Sequence, residues 1–316
     1  MIKNLIGNTP LIRIKFKYKN VTREMYVKLE YYNYTGSIKD RIIYYILNKA
    51  KKEKRLYDNQ PIVEATSGNT GISLAAIGTL LKHKVHIFMP DWASKERIEL
   101  MKLYGAEVHL ITKEEGGFQE AIKQADELAK KINGFRTDQF NNKENVEAHY
   151  NTTGQEIVDK LQNISAFISG IGTGGTLIGI AKRLKESNKN IKIIALEPEN
   201  MSLLSKKKRI GSHKIEGIGD DFIPDIVDKN IIDKVITIPD EDAIYLSSLL
   251  AKKLGLAVGI SSGANFAAII KSKIDKAVTI FPDDAKKYLS TDLIRDIKPK
   301  TKSLLTDLEL INIEVI

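Results

Sequence analysis

The sequence predicts an α/β protein of two domains, each a mostly parallel sheet flanked by helices. Three observations carry this. Short β-branched runs alternate with amphipathic stretches of ten residues or more. A turn rich in Gly, Ser, Thr or Asn separates several runs from the helix that follows. The alternation comes as two series, one on each side of residue 145.

In the first series, residues 25–30, 61–65, 84–89, 107–111 and 136–140 read as strands. Residues 71–81, 94–104 and 117–132 read as helices, the second stopped by Gly105 in a left-handed C-terminal turn. After a helical stretch at 144–161, strands at 166–169, 191–197 and 276–281 alternate with helices at 175–187, 240–254 and 263–273. The expected domains are 1–145 and 146–316, with a strand around 12–34 packing against the second. The tail 292–316 ends in an alternating stretch at 308–315, expected at a sheet edge or a dimer contact.

The 316-residue chain is 42% hydrophobic and 28% charged, globular values that exclude a fibrous or disordered chain. It has no cysteine, which removes disulfides, thiolate nucleophiles and cysteine-ligated metals. Of 49 basic residues forty are lysines, interleaved with 40 acidic ones, so the net charge of +9 reads as a solvated surface and not as a nucleic-acid footprint. The uncharged stretch 161–181 contains five glycines, which argues against a membrane span. No signal-peptide core follows Met1, and a soluble, cytoplasmic protein is expected.

Three turns carry the chemistry, because ligands of open α/β sheets sit at the carboxyl ends of strands. Thr35-Gly36-Ser37-Ile38-Lys39 places a lysine at a helix start, where the dipole lowers its pKa and favours a Schiff base, although taken alone it reads as a solvated lysine beside Asp40 and Arg41. Thr66-Ser67-Gly68-Asn69-Thr70 offers hydroxyls and free N–H groups to a small carboxylate, or else forms an ordinary helix cap. Gly172-Thr173-Gly174-Gly175-Thr176 lacks both a Walker lysine and a dinucleotide spacing, and suits a single phosphate. Together the three point to pyridoxal 5′-phosphate bound with an amino acid.

The chain resembles the cysteine synthase / cystathionine β-synthase family of fold-type II pyridoxal-phosphate enzymes. The resemblance rests on Ile6–Leu11 (IGNTPL), Thr35–Arg41 (TGSIKDR), Glu64–Gly71 (EATSGNTG), Asp138–Asn142 (DQFNN), Thr152–Glu156 (TTGQE), Gly172–Thr176 (GTGGT), Glu216–Gly219 (EGIG), Gly259–Gly263 (GISSG) and Tyr288–Thr291 (YLST), in family order across nearly the whole chain. It implies a cofactor held in a cleft between the two domains, with Lys39 binding it covalently and shuttling the Cα proton. It places Asn69 against the cofactor's ring oxygen and Thr66, Ser67, Thr70 and Gln139 around the substrate carboxylate. Gly172, Thr173, Gly174, Gly175 and Thr176 would take the phosphate, and Ser261 would face the pyridine nitrogen. A homodimer, and β-replacement at Cβ of a cysteine- or serine-type amino acid through an α-aminoacrylate, follow from the same resemblance.

One segment departs from the pattern: Gly217-Ile218-Gly219-Asp220-Asp221. O-Acetylserine sulfhydrylases resemble it with two small neutral residues in place of the aspartates, cystathionine β-synthases with Tyr-Asp. Acetate leaves unaided and hydrosulfide attacks already ionised, so neither needs a carboxylate. Adding water, with a pKa of about 15.7, needs a base. Asp220 is therefore expected to exchange SH and OH on Cβ, converting cysteine and water to serine and sulfide or the reverse; the alternative is two aspartates capping a solvated loop. The competing activities are O-acetylserine sulfhydrylase, cystathionine β-synthase, and a silent scaffold that binds another protein's C-terminal carboxylate, against which the intact Lys39 and Ser261 argue. No metal is expected, since His83 and His86 lack acidic companions in the sequence. Glu114-Glu115-Gly116-Gly117 reads as a mobile loop near the substrate.

Overall fold

The computed structural model describes residues 2–66 and 68–316. The chain begins with β1 (Leu11–Tyr18), β2 (Val21–Leu29), α1 (Lys39–Lys52), β3 (Ile62–Ala65) and α2 (Asn69–Leu80). It continues through β4 (Val85–Pro90), α3 (Lys95–Leu103), β5 (Glu107–Ile111), α4 (Gly117–Ile132), β6 (Phe135–Arg136), α5 (Lys143–His149) and α6 (Gln155–Lys160). Then follow β7 (Ala166–Gly170), α7 (Gly175–Ser187), β8 (Lys192–Pro198) and the short ladder of β9 (Met201–Ser202) with β10 (Lys208–Arg209). The last elements are β11 (Lys234–Ile238), α8 (Asp240–Leu254), α9 (Ile260–Ser272), β12 (Ala277–Phe281), α10 (Ser303–Thr306) and β13 (Leu308–Val315).

Two sheets result. The larger runs β11-β8-β7-β12-β2-β1-β13 and the smaller β5-β4-β3-β6. Every pairing in the smaller sheet is parallel. The larger is parallel from β11 to β2, and β1 and β13 close it as an antiparallel edge. β3, β4 and β12 are buried at every position, as strands covered by helices on both faces must be.

Phe16 on β1 meets Phe266 on α9 edge to face at 5.2 Å, inside the core of the larger sheet. Beneath α1, the buried Arg41 bonds Glu30 and Glu156, and Lys28 reaches Glu156 at 2.6 Å. The pairing is close enough that no buried charge there stands alone.

Several expected boundaries move. The stretch 144–161 is two α-helices joined by a π-helical turn at Tyr150–Gly154, against which Gly179 of α7 packs so closely that a Cβ there would collide with the Val146 carbonyl. The strand expected at 136–140 shrinks to Phe135–Arg136, since β3 offers it partners only at Ile62 and Val63. The last long helix starts at Ile260, three residues earlier than expected, and so carries Ser261 in its first turn. The tail strand β13 pairs with β1 over Ile12–Tyr18. Among the described residues, no helix is long and apolar enough to cross a membrane.

Candidate active site

Four helices point their N-termini at one cleft. Lys39, Asn69, Gly174 and Ser261 stand at or beside the starts of α1, α2, α7 and α9, and all four line it. In none of the four does the N-cap residue's own side chain cap the first turn, in contrast to α5, where Asn142 accepts from the Glu144 N–H; at α1 only Ser37 Oγ accepts the Lys39 N–H, at 3.3 Å. The free N–H groups and the positive dipole ends favour anions.

The cleft, about 840 Å³ with its open mouth, gathers Lys39, Thr66, Asn69, Thr70, Gln139, Gly172, Thr173, Gly174, Thr176, Asp220 and Ser261. Gly175, the first residue of α7, is buried just behind the lining. Ser67 lies outside the described residues.

Burial lowers the Lys39 ammonium from its ordinary value, against the opposing pull of Asp220 and Asp283. Burial likewise lifts the Asp220 carboxyl to about 6, which Lys39 resists and Asp221 promotes. Asp221 turns elsewhere, accepting from Gln119 Nε2 at 3.3 Å and facing Arg209 at 3.6 Å. Of the two adjacent aspartates, only Asp220 lines the cleft.

On the wall of β3 and α2, Thr66 Oγ1 accepts the Gly68 N–H at 3.1 Å. Thr70 donates to Gln139 Oε1 at 2.6 Å, and Gln139 donates to the Ala65 carbonyl. Asn69 donates to Asp283 at 2.7 Å, and its buried Oδ1 finds no partner.

The glycine turn is cramped from behind. A Cβ at Gly172 would collide with the Gly217 carbonyl oxygen, and one at Gly174 (φ +90°) with Val227. The backbone can therefore approach a bound group only as glycine. Thr173 accepts from Asn145 Nδ2 at 2.9 Å, and Thr176 pairs with His149 Nε2 at 3.1 Å. Burial first, then Lys39 and Arg41, keep His149 well below its ordinary pKa, so it is neutral.

Sequence reasoning missed Asn145 and His149, although their i, i+4 spacing on one helix face after the Asp138–Asn142 motif was a usable signal. It also missed Arg97 of α3, which is buried, lies over the Tyr288 ring at 4.5 Å and pairs with Glu216 at the cleft wall. Arg97 and Glu216 come from segments more than a hundred residues apart, and no spacing rule links them. His83 bonds the Gln60 carbonyl and does not join His86. The Glu114–Gly117 segment forms a tight turn in which Glu115 Oε2 accepts the Thr112 N–H at 2.7 Å.

These residues fit pyridoxal 5′-phosphate: a depressed lysine at a helix start, a glycine cradle that side chains would fill, and an unpartnered buried Asn69 oxygen. Residues 2–283 match the model of the family described as pyridoxal-phosphate dependent enzymes. Cysteine synthase of Staphylococcus aureus is 41% identical over 299 residues, covering 92% of this chain and 96% of its own. Cysteine synthase B of Campylobacter jejuni is 45% identical over 298 residues, with 92% and 97% covered. Among solved structures, a hydrogen sulfide-producing enzyme from Fusobacterium nucleatum superposes with a TM-score of 0.95 at 47% identity, covering 100% of this chain and 97% of that one. A second hydrogen sulfide-producing enzyme of that organism gives 0.85 at 40%, with 92% and 99% covered. The chain thus belongs to the pyridoxal-phosphate dependent enzyme family and is a cysteine synthase-like enzyme.

Proposed function

We propose that the protein converts L-cysteine and water to L-serine and hydrogen sulfide. The observation that carries this reading is Asp220: a half-buried carboxyl lining the cleft, raised to about 6 and electrostatically coupled to Lys39. A base poised near neutral pH is what water addition requires and what a hydrosulfide acceptor does not.

When bound, pyridoxal 5′-phosphate supplies an electron sink at Cα. Thr66, Thr70 and Gln139 hold the substrate carboxylate at the start of α2, with Ser67 of the same turn. The uncapped N–H groups of α7, with Thr173 and Thr176, hold the cofactor phosphate, and Ser261 offers a hydroxyl to the ring nitrogen. The Lys39 amine, kept basic but uncharged more readily than a solvated lysine, takes the Cα proton. The Cβ–S bond breaks and sulfur leaves with the electron pair as hydrosulfide. Asp220, as carboxylate, takes a proton from the water that forms the new Cβ–O bond. Lys39 returns its proton to Cα, and Asp220 gives its proton to solvent, where the hydrosulfide already released takes one up. Atoms and charge balance without an oxidant.

The experiment is to incubate the holoenzyme and Asp220→Asn with L-cysteine and to follow serine and sulfide. Serine formation should fall by about 10²- to 10⁴-fold in the variant, the usual worth of a positioned base. Undiminished serine would overturn the reading. The 41% and 45% identity to cysteine synthases favours a second reading, O-acetylserine as donor with sulfide as acceptor. A product screen with cysteine, serine and O-acetylserine separates the two.

A further inference from the structure

The β4–β5 ladder carries a cluster of side chains that the cleft does not use. The register sets His86 beside Glu107 and Phe88 beside His109, and alternate residues of a strand share a face. His86 Nδ1 lies 3.0 Å from Glu107 Oε2 and 3.5 Å from His109 Nε2. The three candidate ligand atoms all fall within 4.8 Å of one another.

These spacings match a coordination polyhedron. Ligand atoms about 2.0–2.1 Å from a tetrahedral zinc ion stand about 3.4 Å apart. The two measured edges straddle that value, so an ion enters with small side-chain shifts. The rings are already oriented, with His109 stacked on Phe88 at 4.3 Å and 12°. Phe88 in turn packs with Ala121 and Ala125 of α4. Lys84 holds the other oxygen of Glu107 at 2.7 Å, which leaves Oε2 for a metal and steadies the carboxylate, as outer partners do in metal sites. His86 is buried and Glu107 exposed, so the fourth position opens to water.

We propose that His86, Glu107 and His109 form a binding site for a divalent transition ion, with zinc as the reference and cobalt or nickel as substitutes. Two imidazoles among three ligands select against magnesium and calcium, which take oxygen. A bound ion ties the edge strand β5 to β4, and so stiffens the smaller sheet at a point outside the cleft.

The test uses tag-free holoenzyme, without cysteine or other thiols, because these strip the metal. Titration with Co²⁺ should give one equivalent with the intense visible bands of a four-coordinate ion, and Zn²⁺ should displace it and raise the melting temperature. His109→Gln should weaken Zn²⁺ binding by about tenfold or more and remove both the bands and the thermal shift. The half-exposed position of His109 lets this variant fold, and the cofactor's visible absorbance checks that it has. Glu107→Gln, on the surface, should weaken binding in the same direction. Equal Zn²⁺ affinity in wild type and His109→Gln, or a wild type that takes up no Co²⁺ in the micromolar range, overturns the assignment.

Discussion

Asp220 and Asp221 are neighbours in the chain and face opposite environments. Asp220 lines the cleft with Lys39, whereas Asp221 binds Gln119 of α4 and Arg209 of β10. The two carboxyls should therefore respond differently to the same substitution. Asp221→Asn should keep serine formation from cysteine within a few-fold of wild type, while Asp220→Asn loses two orders of magnitude or more, read by quantifying serine.

The pH profile should report the same carboxyl. Water addition needs Asp220 ionised, and burial has raised its pKa to about 6. Serine formation in a single turnover should rise as pH increases through about 6 and then level off. In Asp220→Asn this rising limb should vanish, while release of the first sulfide, which does not depend on the carboxylate, persists.

Glu156 should matter to stability in acid. Burial opposes its ionisation, but Arg41 and Lys28 overcome that and hold it down to about 2. A carboxyl depressed in the folded state stabilises fully above its unfolded pKa of about 4.5, and the contribution is lost as pH falls toward about 2. Glu156→Gln should lower stability at pH 7 by about 3 kcal/mol, since Lys28 loses its close carboxylate and Arg41 keeps only Glu30 while both stay buried. The difference from wild type should narrow as pH drops from 4.5, measured by denaturant unfolding.

Gly172→Ala should weaken cofactor binding. The added methyl meets the carbonyl of Gly217, on the loop that also carries Asp220. Overpacking of this kind costs about 1–3 kcal/mol, so affinity for pyridoxal 5′-phosphate should fall about tenfold or more. Titration of apoenzyme by visible absorbance measures it.

How much of this was legible from residues alone depended on the range of the signal. Helices 117–132, 175–187 and 240–254 have the expected boundaries because glycine or asparagine in positive φ ends or starts them locally. The turns bearing Asn69 and Gly172 were readable because each directly follows a strand. Arg97, Asn145 and His149 were not, since helix faces meet the cleft only after the sheets assemble. The His86–His109 contact is of the same kind. It comes from strand register, which the spacing of His83 and His86 in the sequence does not reveal.

The pairing of β1 with β13 has a consequence for synthesis. The strand at residues 11–18 emerges from the ribosome nearly three hundred residues before its outer partner at 308–315. Its neighbour β2 also waits, for β12 at Ala277–Phe281. Until both partners have been made, the nascent protein carries an open, apolar-rich hairpin that can pair with another copy, the hazard of exposed edges and of long-range topologies. Strand β13 thus acts as a stopper on a hairpin nearly three hundred residues upstream. Deleting Leu308–Val315 is consequently expected to lower the yield of intact protein.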